Sequence, residues 1–286
     1  MDVLVIDEAG QVSLAHALAS SQAAGSVVLL GDPQQLDQPQ QGSHPDGVDV
    51  SALEHLLAGH RTMPEDRGLF LPLTYRLAPA ICRFTSEVFY ERKLEPRPGL
   101  EAQRLLGAGS FDGAGLYLVE VPHDGNRSAS DEEVNAVERL VALLLTPGVL
   151  CVESDQATGA PRAARQVGAS DVLVVAPYNA HVSRLQERLE PIGVRVGTVD
   201  KFQGQEAPVV LYSMATSSPE DAPRGMDFLF SLHRLNVATS RAKCACLLVA
   251  SPRLFEPDCR TPRQMALASA LGRYRELARV VTLGHD

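Results

Sequence analysis

The chain has 286 residues, of which 45% are hydrophobic and 21% charged, enough apolar material for one large domain or two modest ones. No apolar run reaches the roughly 20 residues that cross a bilayer, and Met1-Asp2-Val3 lacks the basic opening of a secretory signal, so a cytoplasmic location is expected. The formal net charge of −9 argues against a broadly basic nucleic-acid-binding face and leaves room for one strand held in a local groove.

In chain order, Val3-Leu4-Val5-Ile6 is a continuous apolar run, as expected of a buried parallel strand. A helix follows over residues 14–20, then a second buried strand over 26–30, stopped by Gly31-Asp32-Pro33. Residues 37–50, rich in Gln, Pro, Gly and Asp, read as loop, and Ser51 with Glu54 forms a capping box for a short helix ending at Leu57. From Leu69 an extended stretch reaches Tyr75-Arg76, and an amphipathic helix covers 79–90. Residues 95–114 look irregular, 115–121 form a strand, 131–145 a helix and 153–170 a mobile loop. Strands over 171–176, 194–196, 208–213 and 244–250 then alternate with helices ending at 189 and spanning 228–241 and 262–278. Such alternation implies parallel sheets wrapped by helices, an α/β fold. The five cysteines, Cys82, Cys151, Cys244, Cys246 and Cys259, are odd in number and form no C-x-x-C. They read as reduced core residues, with Cys244 and Cys246 on one face of a strand.

Five stretches carry residues suited to chemistry. Asp7-Glu8 ends the first strand, where an aspartate can hold Mg²⁺ and a glutamate can activate water; a solvated strand end is the plain alternative. Gly31-Asp32-Pro33-Gln34-Gln35-Leu36 ends the second strand. Ligands of open parallel sheets sit at such ends, and Gln35 could sense a γ-phosphate; a simple turn is the alternative. Tyr75-Arg76 offers a ring for base stacking and a guanidinium for phosphoryl charge, or merely a surface pair. Residues 197–206, Gly-Thr-Val-Asp-Lys-Phe-Gln-Gly-Gln-Glu, are too varied for a plain turn. Residues 234–243, Arg-Leu-Asn-Val-Ala-Thr-Ser-Arg-Ala-Lys, could equally be a polar helix face.

In this order and spacing, D-E-A-G-Q, G-D-P-Q-Q-L, L-T-Y-R, V-G-T-V-D-K-F-Q-G-Q-E and R-L-N-V-A-T-S-R-A-K resemble motifs II, III, IV, V and VI of superfamily 1 helicases. The likeness is to the 5′-to-3′ branch that contains the nonsense-mediated-decay helicase, and V-V-A-P-Y-N at 174–179 resembles that branch's intervening V-I-T-P-Y-N. The resemblance implies one partial RecA-like domain over residues 1–68 and one complete RecA-like domain over 69–286. It implies ATP and Mg²⁺ as cofactors, with Asp7 on the metal, Glu8 as general base, and Gln11 and Gln35 communicating with the γ-phosphate. Gly31 and Asp32 belong to the nucleotide side. Tyr75 would pack near the base, Arg76 and Arg241 would be arginine fingers, and Glu206, with Gly204, would meet the ribose. Thr198, Asp200 and Gln203 would lie near a single strand, DNA rather than RNA, or couple it to ATP. More loosely, G-D-P-Q-Q-L-D-Q-P-Q-Q-G-S-H-P and C-R-T-P-R-Q-M-A-L-A resemble bacterial fusions of a RecB-like nuclease to this helicase, whose nuclease part is not in this sequence.

A phosphate-cradling loop needs G-x-x-x-x-G-K-S/T. The lysines are Lys93, Lys201 and Lys243, and none follows a glycine. The chain therefore reads as a fragment beginning after that loop, or else as a partial protein complemented by another chain. Little or no ATP hydrolysis is expected of it alone. The alternative functions are a non-catalytic nucleic-acid- or partner-binding module derived from a helicase, and an ATPase without unwinding.

Overall fold

The computed structural model describes residues 1–36, 50–202 and 204–283. The loop expected at 37–50 thus lies, apart from Val50, outside the described residues, as does Gln203. Strand β1 (Val3–Ile6) and strand β2 (Ser26–Leu29) flank helix α1 (Leu14–Ser21) and pair in parallel, Val3 opposite Ser26 and Ile6 opposite Leu29. Ser13 caps α1 through His16 N–H. Helix α2 (Ala52–Leu57) begins with the expected capping box of Ser51 and Glu54, which satisfies two otherwise orphaned N–H groups.

Strand β3 (Leu73–Thr74) leads into helix α3 (Pro79–Phe89), where Pro79 at the first turn gives up an N–H that had no helical partner. Strands β4 (Glu95–Pro96), β5 (Arg104–Leu106) and β6 (Gly115–Glu120) precede helix α4 (Asp131–Leu144). Ser130 caps α4, and Asp131, Glu132 and Glu133 place negative charge in its first turn. Strands β7 (Leu150–Val152), β8 (Arg165–Gln166) and β9 (Val172–Ala176) follow, then helix α5 (Asn179–Leu189) and strands β10 (Arg195–Thr198) and β11 (Ala207–Ser213). The chain closes with helices α6 (Gly225–Leu229) and α7 (Leu232–Ser240), strand β12 (Ala242–Ala250), helix α8 (Pro262–Leu277) and strand β13 (Arg279–Val281).

Six of these strands form one parallel sheet in the order β10-β9-β11-β12-β6-β13. Alternate residues feed opposite cores. Leu116 and Leu118 of β6 join residues of α3, α7 and α8, while Tyr117 and Val119 join residues of α4 and α5. Each buried aliphatic side chain contributes about 1.5–3 kcal/mol of transfer free energy. With helices on both faces, the strands read as unbroken apolar runs. The α/β expectation holds.

Several local expectations differ from the structure. β1 and β2 are parallel but not buried: Val3 and Val5 are 51% and 56% exposed, and Val28 is 42% exposed. Among the described residues no helix layer covers both faces of this pair. Cys244 and Cys246 do not share a face, since Cys244 enters one core and Cys246 the other. The pairing of β11 with β12 shifts between Ala207↔Ala242 and Val209↔Ala245, so one extra residue in β12 reverses the alternation. All five cysteines are free. The segment 95–114 contains short strands, and the helix expected over 228–241 is broken where Ser231 caps α7 anew. Residues 153–170 are hydrogen-bonded rather than loose, with β8 paired antiparallel to β7. Among the described residues no helix is long and apolar enough to cross a membrane.

Candidate functional site

The loops leaving β1 and β2 meet by backbone contact. Ala9 N–H donates to Leu30 O at 2.8 Å. A Cβ on Gly10 would stand 2.8 Å from Asp32 O, and one on Gly31, at φ +152°, would stand 2.8 Å from Ala9 N. Only glycine permits this approach. Asp7 and Glu8 lie exposed beside the junction, with Asp7 Oδ1 accepting the N–H of Glu8 at 2.9 Å. Glu8 adopts φ 52°, a left-handed conformation that costs a side-chain-bearing residue about 1 kcal/mol or more. Gln11 is half-buried at the end of the short turn Ala9–Gln11.

Asp32 organises the second loop. Its Oδ1 accepts Gln34 N–H at 2.9 Å, while its Oδ2 accepts Gln35 Nε2 at 3.0 Å and the Tyr90 hydroxyl at 2.5 Å. Burial and the adjacent Asp32 carboxylate hold the Tyr90 phenol well above its ordinary pKa, so it stays a donor. The other end of the Gln35 amide points to the second sheet: Oε1 accepts Arg241 Nη2 at 3.1 Å. Asn236 Nδ2 donates to Gln34 O at 2.8 Å, and His233 Nδ1 contacts Gln35 O. One face of α7 thus holds the loop that follows β2.

Arg241 and Glu206 stand at the N-terminal ends of β12 and β11, beside Arg76, which precedes α3. Arg76 Nε donates to Glu206 Oε2 at 2.6 Å and Arg76 Nη1 to Ser240 O at 3.2 Å. Lys243 Nζ lies 2.8 Å from Glu206 Oε1 and 3.0 Å from Glu153 Oε1. Burial opposes ionisation of Glu206, yet Lys243 and Arg76 together hold its pKa below the usual carboxylate value. Arg241 is 2% exposed. Burial, and then repulsion from Arg76, push its pKa down to about 10, with Glu8 and Asp32 opposing the shift. It remains a cation at neutral pH.

Arg241 Nε and Asn236 Oδ1 are buried without a hydrogen-bond partner among the described residues. A buried polar atom left this way costs about 1–3 kcal/mol, so a guanidinium donor lacking an acceptor suits an anion. The donor set fits a nucleotide carrying Mg²⁺. Asp7 could supply a hard carboxylate ligand of the kind that metal takes alongside phosphate oxygens, Gln35 bridges to Arg241, and Tyr75, 51% exposed, could offer a ring face. Gly204 is exposed at φ +78°, with nothing within 4 Å of an added Cβ.

Thr198 and Asp200 are not in this cluster. They line a separate cavity of about 350 Å³ with Pro177, Tyr178, Asn179, Arg224, Phe228 and Arg234. The guanidinium carbons of Arg224 and Arg234 lie 3.8 and 4.1 Å from the Phe228 ring centroid. One element joins the sites: α7 with its cap runs from Arg234, which lines the cavity, to Arg241.

Sequence reasoning did not single out Tyr90 or His233, and it quoted Lys243 at the end of the 234–243 stretch without assigning it a role. A lysine inside the apolar run 242–250 was a usable signal, because a half-buried ammonium needs carboxylates nearby. Nothing local marks Tyr90, the cap residue of α3.

Residues 48–253 match the AAA domain family. The chain is similar to the DNA polymerase alpha-associated DNA helicase A of Schizosaccharomyces pombe, 28% identical over 258 residues that cover 85% of this chain and 36% of that protein. It is similar to the DNA replication ATP-dependent helicase/nuclease JHS1 of Arabidopsis thaliana, 26% identical over 294 residues, 99% of this chain and 21% of that one. It is also similar to RNA helicase Mov10l1 of Mus musculus, 28% identical over 286 residues that cover 88% of this chain and 23% of that protein. The chain therefore spans between 21% and 36% of the lengths of these relatives.

Proposed function

The chain belongs to the AAA domain family, and from that premise we propose that it forms part of an ATP-dependent nucleic-acid helicase or translocase of superfamily 1. Residues 1–68 belong to a first RecA-like lobe and 69–286 form the second. The observation that carries the reading is the Gln35 amide, which accepts from Arg241 across the two sheets while donating to Asp32.

In this reading Asp7 would hold Mg²⁺ and the bound ATP would supply the γ-phosphate to be transferred. Glu8 would accept a proton from water, and Gln11 and Gln35 would sense the γ-phosphate. Arg241 and Arg76 would offset negative charge there, a contribution commonly worth several kcal/mol in such sites. Gly31 and Asp32 shape the loop, Gly204 and Glu206 meet the sugar, and Tyr75 stacks on the base. A single strand occupies the second cavity, its phosphates near Arg224 and Arg234 and its path past Thr198 and Asp200; Gln203 is assigned to the strand by the resemblance alone. DNA is preferred to RNA, and 5′-to-3′ movement follows the resemblance; relatives named for both nucleic acids support the class rather than the choice. Turnover also needs a phosphate-cradling loop, which these 286 residues do not contain, so hydrolysis stays low unless one is supplied.

The test is calorimetric titration with Mg²⁺ and either ATPγS or ADP. Arg241→Ala is expected to weaken ATPγS about tenfold or more while changing ADP little. Equal losses for both nucleotides, or none, would remove Arg241 from the γ-phosphate.

A further inference from the structure

The turn between β7 and β8 is pinned onto the segment that follows β4. Arg97 donates to the carbonyl of Gln156 and, at 2.8 Å, to that of Ala157. Ser154 Oγ donates to Gly99 O at 2.6 Å. Gly99 and Gly159, at φ +99° and +76°, approach so closely that a Cβ on Gly99 would meet Gly159 O at 2.1 Å. Within the turn, Asp155 Oδ1 accepts the N–H groups of Ala157 and Thr158, each at 3.0 Å. This anchored backbone carries the exposed side chain of Gln156 to the nucleotide cluster, where its Nε2 donates to Glu206 Oε1 at 3.3 Å. The same Arg97 lies over the Tyr75 ring, 5.1 Å from its centroid. A single guanidinium therefore fixes both the aromatic ring and the turn.

We infer that the Arg97-pinned turn is the sugar-side wall of the nucleotide site, and that Gln156 reads a ribose hydroxyl beside Glu206. The inference rests on the nucleotide reading given above. Its chemistry is a matter of complementary hydrogen bonding. Glu206, kept ionised by Lys243 and Arg76, can only accept. A ribose hydroxyl that donates to it still offers lone pairs, and the Gln156 carboxamide supplies the neighbouring N–H donor. A sugar without that hydroxyl leaves both groups facing C–H, which is how a hydrogen-bonding site rejects an analogue. Arg97 acts as a positioning residue, holding the Tyr75 ring on one face and leaving the other for a base.

The experiment uses the full chain with Mg²⁺ and three probes, ADP, 2′-deoxy-ADP and 3′-deoxy-ADP, measured by equilibrium dialysis. ADP is expected to bind about five- to tenfold more tightly than at least one deoxy analogue. Gln156→Ala should bring ADP down to the level of that analogue and leave the analogue unchanged. Because Gln156 is exposed, the fold is not at risk, and an unchanged thermal melt confirms it. Arg97→Ala should weaken ADP and the analogue together and make the turn at 154–160 newly sensitive to protease. Full discrimination retained by Gln156→Ala would overturn the inference while leaving the nucleotide site standing. Absence of ADP binding by the unaltered chain would overturn the site reading and this inference together.

Discussion

Two parallel sheets in this chain are spelled alike and end in opposite surroundings. β1 reads Val-Leu-Val-Ile and β9 reads Val-Leu-Val-Val-Ala. Yet Val3 and Val5 are more than half exposed, whereas every residue from Val172 to Ala176 is at most 1% exposed. The contrast separates two properties that an apolar run is often taken to carry together. Pairing in parallel follows from the run and its register; burial follows from helices packed on both faces, which β9 has. The loops after β1 and β2 are nevertheless placed firmly, because Tyr90, Asn236 and Arg241 reach across from the larger sheet. Order in the smaller half of the site is borrowed from the larger.

If that is right, core substitutions in the two sheets should differ most of all. Leu118→Ala, fully buried in the larger sheet, is expected to lose about 3–4 kcal/mol in denaturant unfolding, from lost transfer and a residual cavity. Val5→Ala should change stability by less than about 0.5 kcal/mol. Comparable losses at both positions would break the comparison.

A smaller effect sharpens the claim of borrowed order. Tyr90→Phe removes the hydroxyl that donates to Asp32 and accepts from Asn236 Nδ2 at 3.0 Å. A loss of about 1–2 kcal/mol is expected, as for a hydrogen bond to a charged group, with faster amide exchange concentrated at 31–36. Faster exchange in β9 instead would show that the loop is ordered from elsewhere.

The smallest effect concerns acid. Beneath the larger sheet's C-terminal edge, His181 Nδ1 accepts Ser130 N–H at 3.3 Å and its Nε2 lies 2.7 Å from Ser213 Oγ, which donates to Glu133 Oε2 at 2.5 Å. This network calls for a neutral ring carrying its hydrogen on Nε2. Burial lowers its pKa below 6.5, helped by Arg184 and His123 and opposed by Glu133 and Asp131. The unfolded chain therefore binds this proton more readily than the folded one, so the contribution is complete above 6.5 and declines as pH falls below it. Unfolding free energy is expected to decline through this residue as pH falls from about 7.5 to about 5.5. His181→Asn, which keeps an acceptor and a donor, should flatten that part of the profile; an unchanged slope would assign it to other groups.

Much of this was legible in the residues. The apolar runs marked β9, β11 and β12, the S-x-x-E spacing marked the start of α2, and the five polar stretches contained Asp32, Gln35, Asn236 and Arg241, though not Tyr90 or His233. What stayed hidden depends on third partners. The exposure of β1 cannot be read from β1, since it reflects what packs against it. The faces of Cys244 and Cys246 were misread because one extra residue in β12 is invisible without its neighbour β11. Residues 153–170 looked loose by composition, yet Arg97, Gly99 and Asp155 give that turn its hydrogen bonds from outside and within. That Thr198 and Asp200 line a cavity with Arg224 and Arg234 while Glu206 meets Arg76 and Lys243 likewise emerges only once the larger sheet is assembled.

The most direct measurement is hydrogen–deuterium exchange of the full chain with and without saturating Mg²⁺ and ATPγS. Slowed exchange at 7–11, 31–36 and 236–243 together is the expected result, because acidic groups after β1, the Asp32 loop and the Arg241 end of α7 are held to converge on one triphosphate. Slowing confined to one of the two sheets, or absent from both, would contradict that convergence.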